Sequence, residues 1–489
     1  MKFTNHEHAL CGRTNRRTFL SDCGMGFFGL ALGSMLQRDG VLRAGEAPLP
    51  SGLTDFAPKA KNVIWLFMLG GTSHMESFDP KPALNKYSGK TIEESPYSTS
   101  ILESPFYRKN VRDFAGTPRD LMATIYPLQK GYSKRGESGI EVCDWWPHVG
   151  SCIDDLAVVR SMWTTDNDHA AQLQFNTGRH IFDGFFPSLG SWVHYGLGSL
   201  NDNLPSFVVL GQGPGDCCGG DGAHGAAYLG PEHAGVELKV DPDNPLPFGT
   251  PGADVSIAER REQLDLLQDL NQIAGVRYPD DPAMRARIKA YELASRMQLA
   301  VPEVMALNRE TPATQKLYGL DNSTTNPFGE LCLGARRLVE RGVRFVQVYH
   351  AGSWDAHSKL KENHTNNCAQ VDQPIAALLK DLKQRGLLEE TIVVWGTEFG
   401  RTPGAERSDG RDHHPYGFSV WLAGGGIKKG VVHGATDELG FHAVEHRHYV
   451  TDLHATVLHQ LGLDHKKLEI PGHKRLEIDF GSPIREIIA

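Results

Sequence analysis

The sequence predicts an α/β protein: a three-layer α/β/α sandwich in which helices cover both faces of a mostly parallel central sheet. Six short apolar runs rich in β-forming residues are typical of strands buried on both faces. Helical patterns with charged or amphipathic character lie between these runs. Strands that alternate with helices favour a parallel sheet, because each crossover helix packs back onto a face of the sheet.

Each predicted strand is too short to cross a membrane. The predicted strands cover 62–69, 156–162, 206–210, 343–349, 391–395 and 417–423. The predicted helices cover 257–273, 282–299, 329–341, 373–385 and 450–461.

One stretch interrupts this alternation. A glycine-rich loop at 211–230 is followed by the two charged helical patterns. We expect the loop and these helices to form an insertion at about 211–328 within one domain that spans 46–489.

Composition limits the choice of partners. The chain has 489 residues, of which 40% are hydrophobic and 22% are charged, as in an ordinary globular protein. Its formal net charge of −9 argues against nucleic acid as the main partner. Beyond the N-terminal segment no run of 18 or more apolar residues occurs, so the sequence predicts no stable membrane span.

The N-terminus has the pattern of an export signal. Arg16 and Arg17 precede a polar residue and two apolar residues, and a weakly apolar stretch follows at 27–36. The arginine pair is typical of the address that the twin-arginine translocase recognises. We expect a signal peptide over residues 1–45 and a periplasmic or extracellular location. Retention of the segment as an uncleaved anchor stays open.

Carboxylates and histidines stand where the predicted strands end. Ligands of open α/β sheets bind in the crevice outside the carboxyl ends of the strands. Imidazole nitrogens together with carboxylate oxygens favour a divalent metal, zinc first, with manganese or magnesium if carboxylates dominate. The candidates after strands are Glu76, Asp79, His169, Asp355, His357 and Glu398, and His413 and His414 stand shortly before the sixth strand.

Ordinary alternatives exist for each candidate. Glu398 could pair with Arg401, Asp79 could belong to a turn with the following proline, and His169 could begin a helix. The combination of candidates indicates a site more strongly than any one residue does.

Several motifs together resemble a known family. They are GGTSHMESFDPKP at 70–82, GSWDAH at 352–357, TEFGRTP at 397–403 and GRDHHPYGFSVWLAGGGIKKG at 410–430. The chain resembles the domain-of-unknown-function 1501 family of the alkaline-phosphatase-like superfamily of phosphatases and sulfatases. That resemblance implies an alkaline-phosphatase-like fold with metals at the strand ends. It implies three ligand groups: Glu76 or Asp79; Asp355 with His357; and Glu398 with His413 or His414.

The sequence departs from the sulfatase pattern at the nucleophile. No cysteine has proline two residues on and arginine four residues on, which argues against the formylglycine route. Thr177-Gly178-Arg179 is similar to the end of the sulfatase nucleophile helix, and counting back by the same spacing reaches Asp168 or His169. His169 is therefore a catalytic candidate as well as a candidate ligand.

The remaining catalytic candidates follow from the chemistry of ester hydrolysis. A hydroxyl nucleophile would be Thr164, Thr165 or Ser161, with Thr164 the best candidate, and metal-bound water is an equal alternative. Arg179 or Arg401 would balance the charge that develops on the ester.

Two functions from different classes fit these observations. One is an exported metal-dependent hydrolase of phosphate or sulfate esters, acting on a small-molecule or polysaccharide ester. The other is a non-catalytic exported binding or surface protein on a hydrolase-like fold, because function resides in a site and not in a fold.

Replacing both signal arginines with lysine (R16K and R17K) should stop export, because the translocase recognises the arginine pair itself. Cell fractionation should show the precursor accumulating in the cytoplasm, while Arg13→Lys leaves export unchanged. Unchanged export of the double variant would remove the basis for the predicted signal.

Overall fold

The structure is a computed structural model. It describes residues 52–106, 124–241, 243–246, 301–470, 472–473 and 477–489, with single positions between 259 and 300. The predicted signal over residues 1–45 lies outside the described residues, as do most positions of the predicted helices 257–273 and 282–299. Among the described residues, every helix is too short or too polar to cross a membrane.

The elements of the described residues are numbered here in chain order. The strands are β1 (Asn62–Met68), β2 (Tyr132–Arg135), β3 (Ile140–Cys143), β4 (Leu156–Trp163), β5 (Phe207–Leu210), β6 (Val236–Leu238), β7 (Phe345–His350), β8 (Thr391–Gly396), β9 (Gly400–Arg401), β10 (His413–His414), β11 (Phe418–Ala423), β12 (Val431–His433), β13 (Ala435–Thr436), β14 (Ala443–Glu445) and β15 (His448–Tyr449). The helices are α1 (Pro82–Lys86), α2 (Ser98–Leu102), α3 (Pro147–Gly150), α4 (Ala171–Thr177), α5 (Leu189–Leu197), α6 (Pro312–Leu317), α7 (Asn326–Glu340), α8 (Leu360–Gln384), α9 (Val450–Gln460) and α10 (Glu477–Phe480).

One nine-stranded sheet organises the fold. Its strand order is β12-β4-β11-β8-β1-β7-β5-β6, and β15 pairs with β4 beside β12. Strand β11 is antiparallel to β4 and β8, whereas the other strand pairs of this sheet are parallel. All six strands predicted from the sequence belong to this sheet, so the prediction of a mostly parallel sheet is confirmed.

The central strand β1 shows why the fold has three layers. Its seven residues are all buried, and their side chains alternate between two cores. Leu66 packs in one core with Leu333 of α7 and Ile375 of α8. Trp65 packs in the other core, to which α5 and α9 also contribute, as with Leu453 of α9. A strand covered on both faces is expected to be apolar, as the run NVIWLFM is apart from Asn62, whose side-chain amide donates to the carbonyl oxygen of Val343.

The helices were harder to predict than the strands. Helix α7 begins three residues before the predicted start at 329, and α8 begins at Leu360, thirteen residues before the predicted start at 373. The first half of α8 carries a polar run, KENHTNN, which hides the apolar period, and Pro374 lies inside the helix. Helices α4 and α5 were not predicted. Strand β6, which lies within 211–328, pairs with β5 in the main sheet.

The directions of the strands bring the loops that carry the polar residues to one edge of the sheet. Strands β1, β4, β7 and β8 are mutually parallel through the sheet, so their carboxyl ends lie at one edge. Strand β11 runs the other way, so its amino end lies at the same edge. The short β9–β10 ladder, which pairs Arg401 with His413, therefore lies between β8 and β11 at that edge.

Shortening a buried side chain of the central strand β1 should destabilise the whole domain. Leu66 is fully buried, so Leu66→Ala should lower the free energy of unfolding by about 2–5 kcal/mol through lost burial and the cavity left behind. Leu53 is 74% exposed, and Leu53→Ala should change it by less than about 0.5 kcal/mol. Urea unfolding measures both, and equal effects would contradict the placement of β1 at the centre of the core.

Candidate metal centre

The carboxylate of Asp355, in the loop after β7, is the centre of a polar cluster. Its Oδ1 lies 2.9 Å from Nε2 of His357 and 3.0 Å from Nε2 of His413. The same oxygen accepts a hydrogen bond from Nη2 of Arg401 at 2.7 Å, and Oδ2 lies 3.2 Å from Nε2 of His169. Three imidazoles and one guanidinium thus face a single carboxylate, whose side chain is 26% exposed.

Gly70 lets the Asp355 loop approach the end of β1. Its φ is +114°, and a Cβ there would lie 2.7 Å from the backbone nitrogens of Trp354 and Asp355. The Trp354 N–H donates to the carbonyl of Leu69 at 2.9 Å. Only glycine has this conformational freedom without a clash, so the backbone of β1 fixes the position of the Asp355 loop.

Glu398, directly after β8, is fully buried beside this cluster. Its Oε1 accepts hydrogen bonds from the Gly70 N–H at 2.8 Å and from Nε2 of Gln172 at 2.9 Å. Nδ1 of His169 lies 3.2 Å from the same oxygen. His169 therefore bridges Glu398 and Asp355, and the residues after β7 and β8 belong to one site.

The second nitrogen of each imidazole also faces an acceptor. Nδ1 of His413 lies 2.9 Å from the carbonyl oxygen of Asn167, and Nδ1 of His357 contacts the carboxylate of Glu406. Nδ1 of His169 faces Glu398. A carbonyl or carboxylate oxygen can only accept, so a neutral imidazole places its N–H there and turns the lone pair of Nε2 toward Asp355.

A lone pair held about 3 Å from a carboxylate oxygen is repulsive. Two arrangements remove the repulsion: a second proton on each imidazole, or a cation between the Nε2 atoms and the carboxylate. The second arrangement is the usual one for metal-binding histidines, whose other nitrogen donates to a carbonyl or carboxylate.

The pKa values of Asp355, His169 and His357 describe the first arrangement, in which the imidazoles carry a second proton. Burial acts to raise the pKa of Asp355, but hydrogen bonds from the three imidazoles and the charge of Arg401 hold it well below its usual range. Burial lowers the pKa of His169, but hydrogen bonds with Asp355 and Glu398 outweigh it and raise the pKa to about 9. The hydrogen bond with Asp355 likewise raises the pKa of His357. Without a metal, the cluster therefore attracts protons strongly.

The donor set fits a divalent cation. The ligand atoms of His169, Asp355 and His413 all lie within 4.8 Å of one another, and so do those of His357, Asp412 and His413. Imidazole nitrogen and carboxylate oxygen are zinc ligands, at about 2.0–2.2 Å from the ion. The two groups share His413, whose Nδ1 is engaged by the Asn167 carbonyl, so its Nε2 can serve only one of the two groups at a time.

Glu76 and Asp79, two predicted ligands, are not brought to this cluster. Glu76 is fully buried in an ion pair with Arg411, whose Nη2 lies 2.8 Å from its carboxylate. Asp79 pairs with Lys81 at 3.0 Å and accepts a hydrogen bond from Thr436. Both carboxylates lie in the loop after β1, and each is already paired with a cationic side chain.

His413 and His414 diverge although they are neighbours. They are consecutive residues of β10, where side chains alternate between opposite faces. The ring of His414 bonds to the carbonyl oxygen of Phe441 and packs against Tyr416, and burial lowers its pKa to about 3. Of the two predicted histidines, the structure brings His413 to Asp355 and not His414.

Two predicted catalytic side chains have other partners. The hydroxyl of Thr164 donates to Oε1 of Gln174 at 2.7 Å, and the residue is only 2% exposed. Arg179 donates to Asp479 at 2.5 Å. These contacts hold both side chains away from Asp355. They do not favour Thr164 as the nucleophile or Arg179 as the group that balances charge on the ester.

Arg401 lies in the cluster but acts on the protein. Its guanidinium donates to the carbonyl oxygens of Gly70, Gly71 and Arg411 as well as to Asp355, and the side chain is fully buried. All these contacts fix the guanidinium in place. Arg401 is therefore a positioning residue for Asp355.

Four groups that face the cluster were not among the predicted site residues: Gln172, Asn167, Glu406 and Asp412, although Asp412 was noted beside the two histidines. Two of them could have been found from the sequence. Gln172 follows His169 by three residues, about one helical turn, and Asp412 directly precedes the two histidines. Glu406 lies in an irregular loop, and Asn167 contributes a backbone carbonyl, which sequence does not reveal.

A family model described as "Protein of unknown function (DUF1501)" matches residues 60–488. The chain belongs to this family. The match covers the whole domain that contains the sheet and the Asp355 cluster, and it confirms the resemblance carried by the motifs. No curated protein matches the chain at a significant level.

Similar solved structures come from phosphatases and sulfatases. A protein of the alkaline phosphatase superfamily from Vibrio parahaemolyticus has 8% identity and a TM-score of 0.36, covering 96% of this chain and 79% of its own. The PsFucS1 sulfatase from Pseudoalteromonas sp. has 11% identity and a TM-score of 0.33, covering 89% and 72%. A TAB5 alkaline phosphatase with Mg bound has 13% identity and a TM-score of 0.31, covering 76% and 92%.

The absence of a side chain at Gly410 should be essential for the position of the His357 backbone. A Cβ at Gly410 would lie 2.1 Å from the carbonyl oxygen of His357, so Gly410→Ala must displace that backbone. We expect a loss of about 1–3 kcal/mol in the free energy of unfolding and a fall of about tenfold or more in zinc affinity.

Gly215→Ala is the matched control, because its nearest neighbouring atom would be 3.9 Å away. Thermal unfolding and zinc titration measure both variants. Wild-type zinc affinity in Gly410→Ala would show that His357 does not depend on this close approach.

Proposed function

We propose that this protein is an exported metal-dependent hydrolase of phosphate or sulfate esters. One observation carries the proposal: around Asp355, the three imidazoles of His169, His357 and His413 meet acceptors at both ring nitrogens. With neutral imidazoles, the Nε2 lone pairs would face the negatively charged carboxylate of Asp355. A divalent cation bound between them would remove this repulsion.

Two overlapping groups of residues would hold the metal. His169, Asp355 and His413 form one group, and His357 and Asp412 with the shared His413 form the other. Three imidazoles favour zinc, whereas the carboxylates also suit manganese or magnesium. A cation bound there polarises an ester oxygen and lowers the pKa of water.

The chain's own groups set up the reaction around this centre. Glu406 and the Asn167 carbonyl hold the Nδ1 protons of His357 and His413, so both Nε2 atoms face inward. Glu398 holds the Nδ1 proton of His169 in the same way. Because each tautomer is fixed from outside, the inner nitrogens need no rearrangement to bind.

An ester can reach the cluster from solvent. The side chains of Asp355, His357 and His169 are each exposed by roughly a quarter, at 26%, 25% and 23%. Thr164 is buried and already donates its proton to Gln174, so we assign the nucleophile to a water molecule and not to a hydroxyl side chain. The proposed route therefore has no covalent intermediate and needs no formylglycine.

The second candidate is a metal-binding protein without turnover. The observation that favours it is the state of the two candidate arginines, since Arg401 pairs with Asp355 and Arg179 with Asp479. Neither guanidinium is left to balance charge on a reacting ester. If the cation alone cannot do so, the site binds without hydrolysing.

Metal content and hydrolysis should depend on the cluster residues. Wild type purified without chelators should contain zinc bound at this cluster, and His413→Ala should contain one equivalent less than the wild type. Glu406→Gln should lower metal affinity about 10–100-fold, because Glu406 holds the Nδ1 proton of His357. Aryl phosphate and aryl sulfate esters test turnover, which should fall with metal content.

His414→Gln is the matched control, because this neighbouring histidine faces Phe441 and not Asp355. It should keep the metal of the wild type. Metal without turnover on any ester would leave the binding protein as the function. Absence of metal from the wild type, with imidazolium signals in its nuclear magnetic resonance spectrum, would overturn both candidates.

A further inference from the structure

A second group of ligand-type side chains lies at the edge of the main sheet. We name His433, His448 and Glu486 the edge cluster. Nε2 of His433 lies 2.9 Å from Nε2 of His448 and 3.9 Å from Oε2 of Glu486, and the three ligand atoms all lie within 4.8 Å of one another. None of these residues belongs to the Asp355 cluster.

The backbone positions the two histidines firmly. Strands β12 and β15 both pair in parallel with β4, one after the other along the same side of it. His433 is opposite Val159, and His448 is opposite Met162, three residues further along β4. Two imidazoles from hydrogen-bonded strands lose little freedom when they bind a ligand together.

Asp452 orients the second histidine. Its Oδ2 lies 3.2 Å from Nδ1 of His448, so Nδ1 carries the proton and the lone pair of Nε2 points toward His433. The other oxygen of Asp452 accepts from the Ser482 N–H at 2.7 Å, which holds the carboxylate in place. A carboxylate behind a histidine is the usual outer partner of a metal-binding imidazole.

We propose that the edge cluster binds a divalent transition metal, zinc in the first place, through His433, His448 and Glu486. In a tetrahedral zinc site the ligand atoms lie about 2.0–2.2 Å from the ion and therefore roughly 3.3 Å from one another. The observed separations of 2.9 and 3.9 Å bracket that value. Glu486 has a side chain that is 53% exposed, so it can close the small difference.

Water would complete the coordination of the ion. The ring of His446 stacks on that of His433, with centroids 5.0 Å apart, so it packs against the cluster and is not one of the proposed ligands. Two imidazoles and one carboxylate select zinc, copper or nickel over magnesium and calcium, which prefer oxygen ligands.

The metal would fasten the C-terminal segment to the sheet. Glu486 lies three residues before the last residue, and its carbonyl accepts from Nζ of Lys428 at 2.9 Å. Ile488 forms an isolated bridge with Ile427. The edge cluster would add a connection from this segment to strands β12 and β15, so its proposed role is structural and independent of ester hydrolysis.

Zinc titration by calorimetry tests the proposal in a variant whose Asp355 cluster is disabled by Asp355→Ala and His413→Ala. We expect one remaining equivalent of zinc and a higher melting temperature with zinc than without it. His448→Ala in this background should abolish that equivalent. Glu486→Gln, an exposed change that leaves the metal-free fold intact, should weaken binding about tenfold.

His148→Ala, at an exposed histidine outside both clusters, is the matched control and should leave binding unchanged. Circular dichroism checks that each variant is folded. No zinc binding in the disabled background would overturn the proposal and leave a plain hydrogen bond between His433 and His448. So would an equivalent that survives both His448→Ala and Glu486→Gln.

Discussion

The peptide of Gly70 is the constraint on which the candidate site depends. Its N–H donates to Glu398, its carbonyl accepts from Arg401, and its missing Cβ admits the backbone of Asp355. The backbone of one residue at the end of the central strand thus sets the separation between Asp355, after β7, and Glu398, after β8. Gly70 directly follows β1, whose seven residues are all buried between the two cores, so the strand anchors this reference point.

Charge balance decides what that geometry can hold. Four carboxylates, those of Asp355, Glu398, Glu406 and Asp412, converge with the single guanidinium of Arg401. Buried negative charge in this excess requires compensation, either by protons on the imidazoles or by a cation. The two compete for the same Nε2 atoms, so metal binding releases protons from the cluster. The inward direction of every Nε2 makes the competition possible, since each Nδ1 is already engaged.

The six sheet strands could be predicted because strands buried on both faces are continuously apolar. The site could be predicted in part, because parallel strands bring their carboxyl ends together, which placed Asp355, His357 and Glu398 correctly side by side. Glu76 could not be excluded from sequence, since its partner Arg411 lies 335 residues away along the chain. The start of α8 was hidden for a local reason: its first turns are polar. Loop carboxylates such as Glu406 have no periodic pattern at all.

His413 and His414 show what separates a ligand from a structural histidine. Both are buried on the same two-residue strand, and both bond to a backbone carbonyl. In His413 the carbonyl is at Nδ1, which leaves Nε2 facing carboxylates, whereas in His414 the carbonyl takes Nε2 itself. His448 of the edge cluster repeats the first arrangement, with Asp452 at Nδ1 and Nε2 directed at a second imidazole. What distinguishes His413 and His448 from His414 is therefore which ring nitrogen the protein leaves facing other ligand-type side chains, and not the presence of histidine itself.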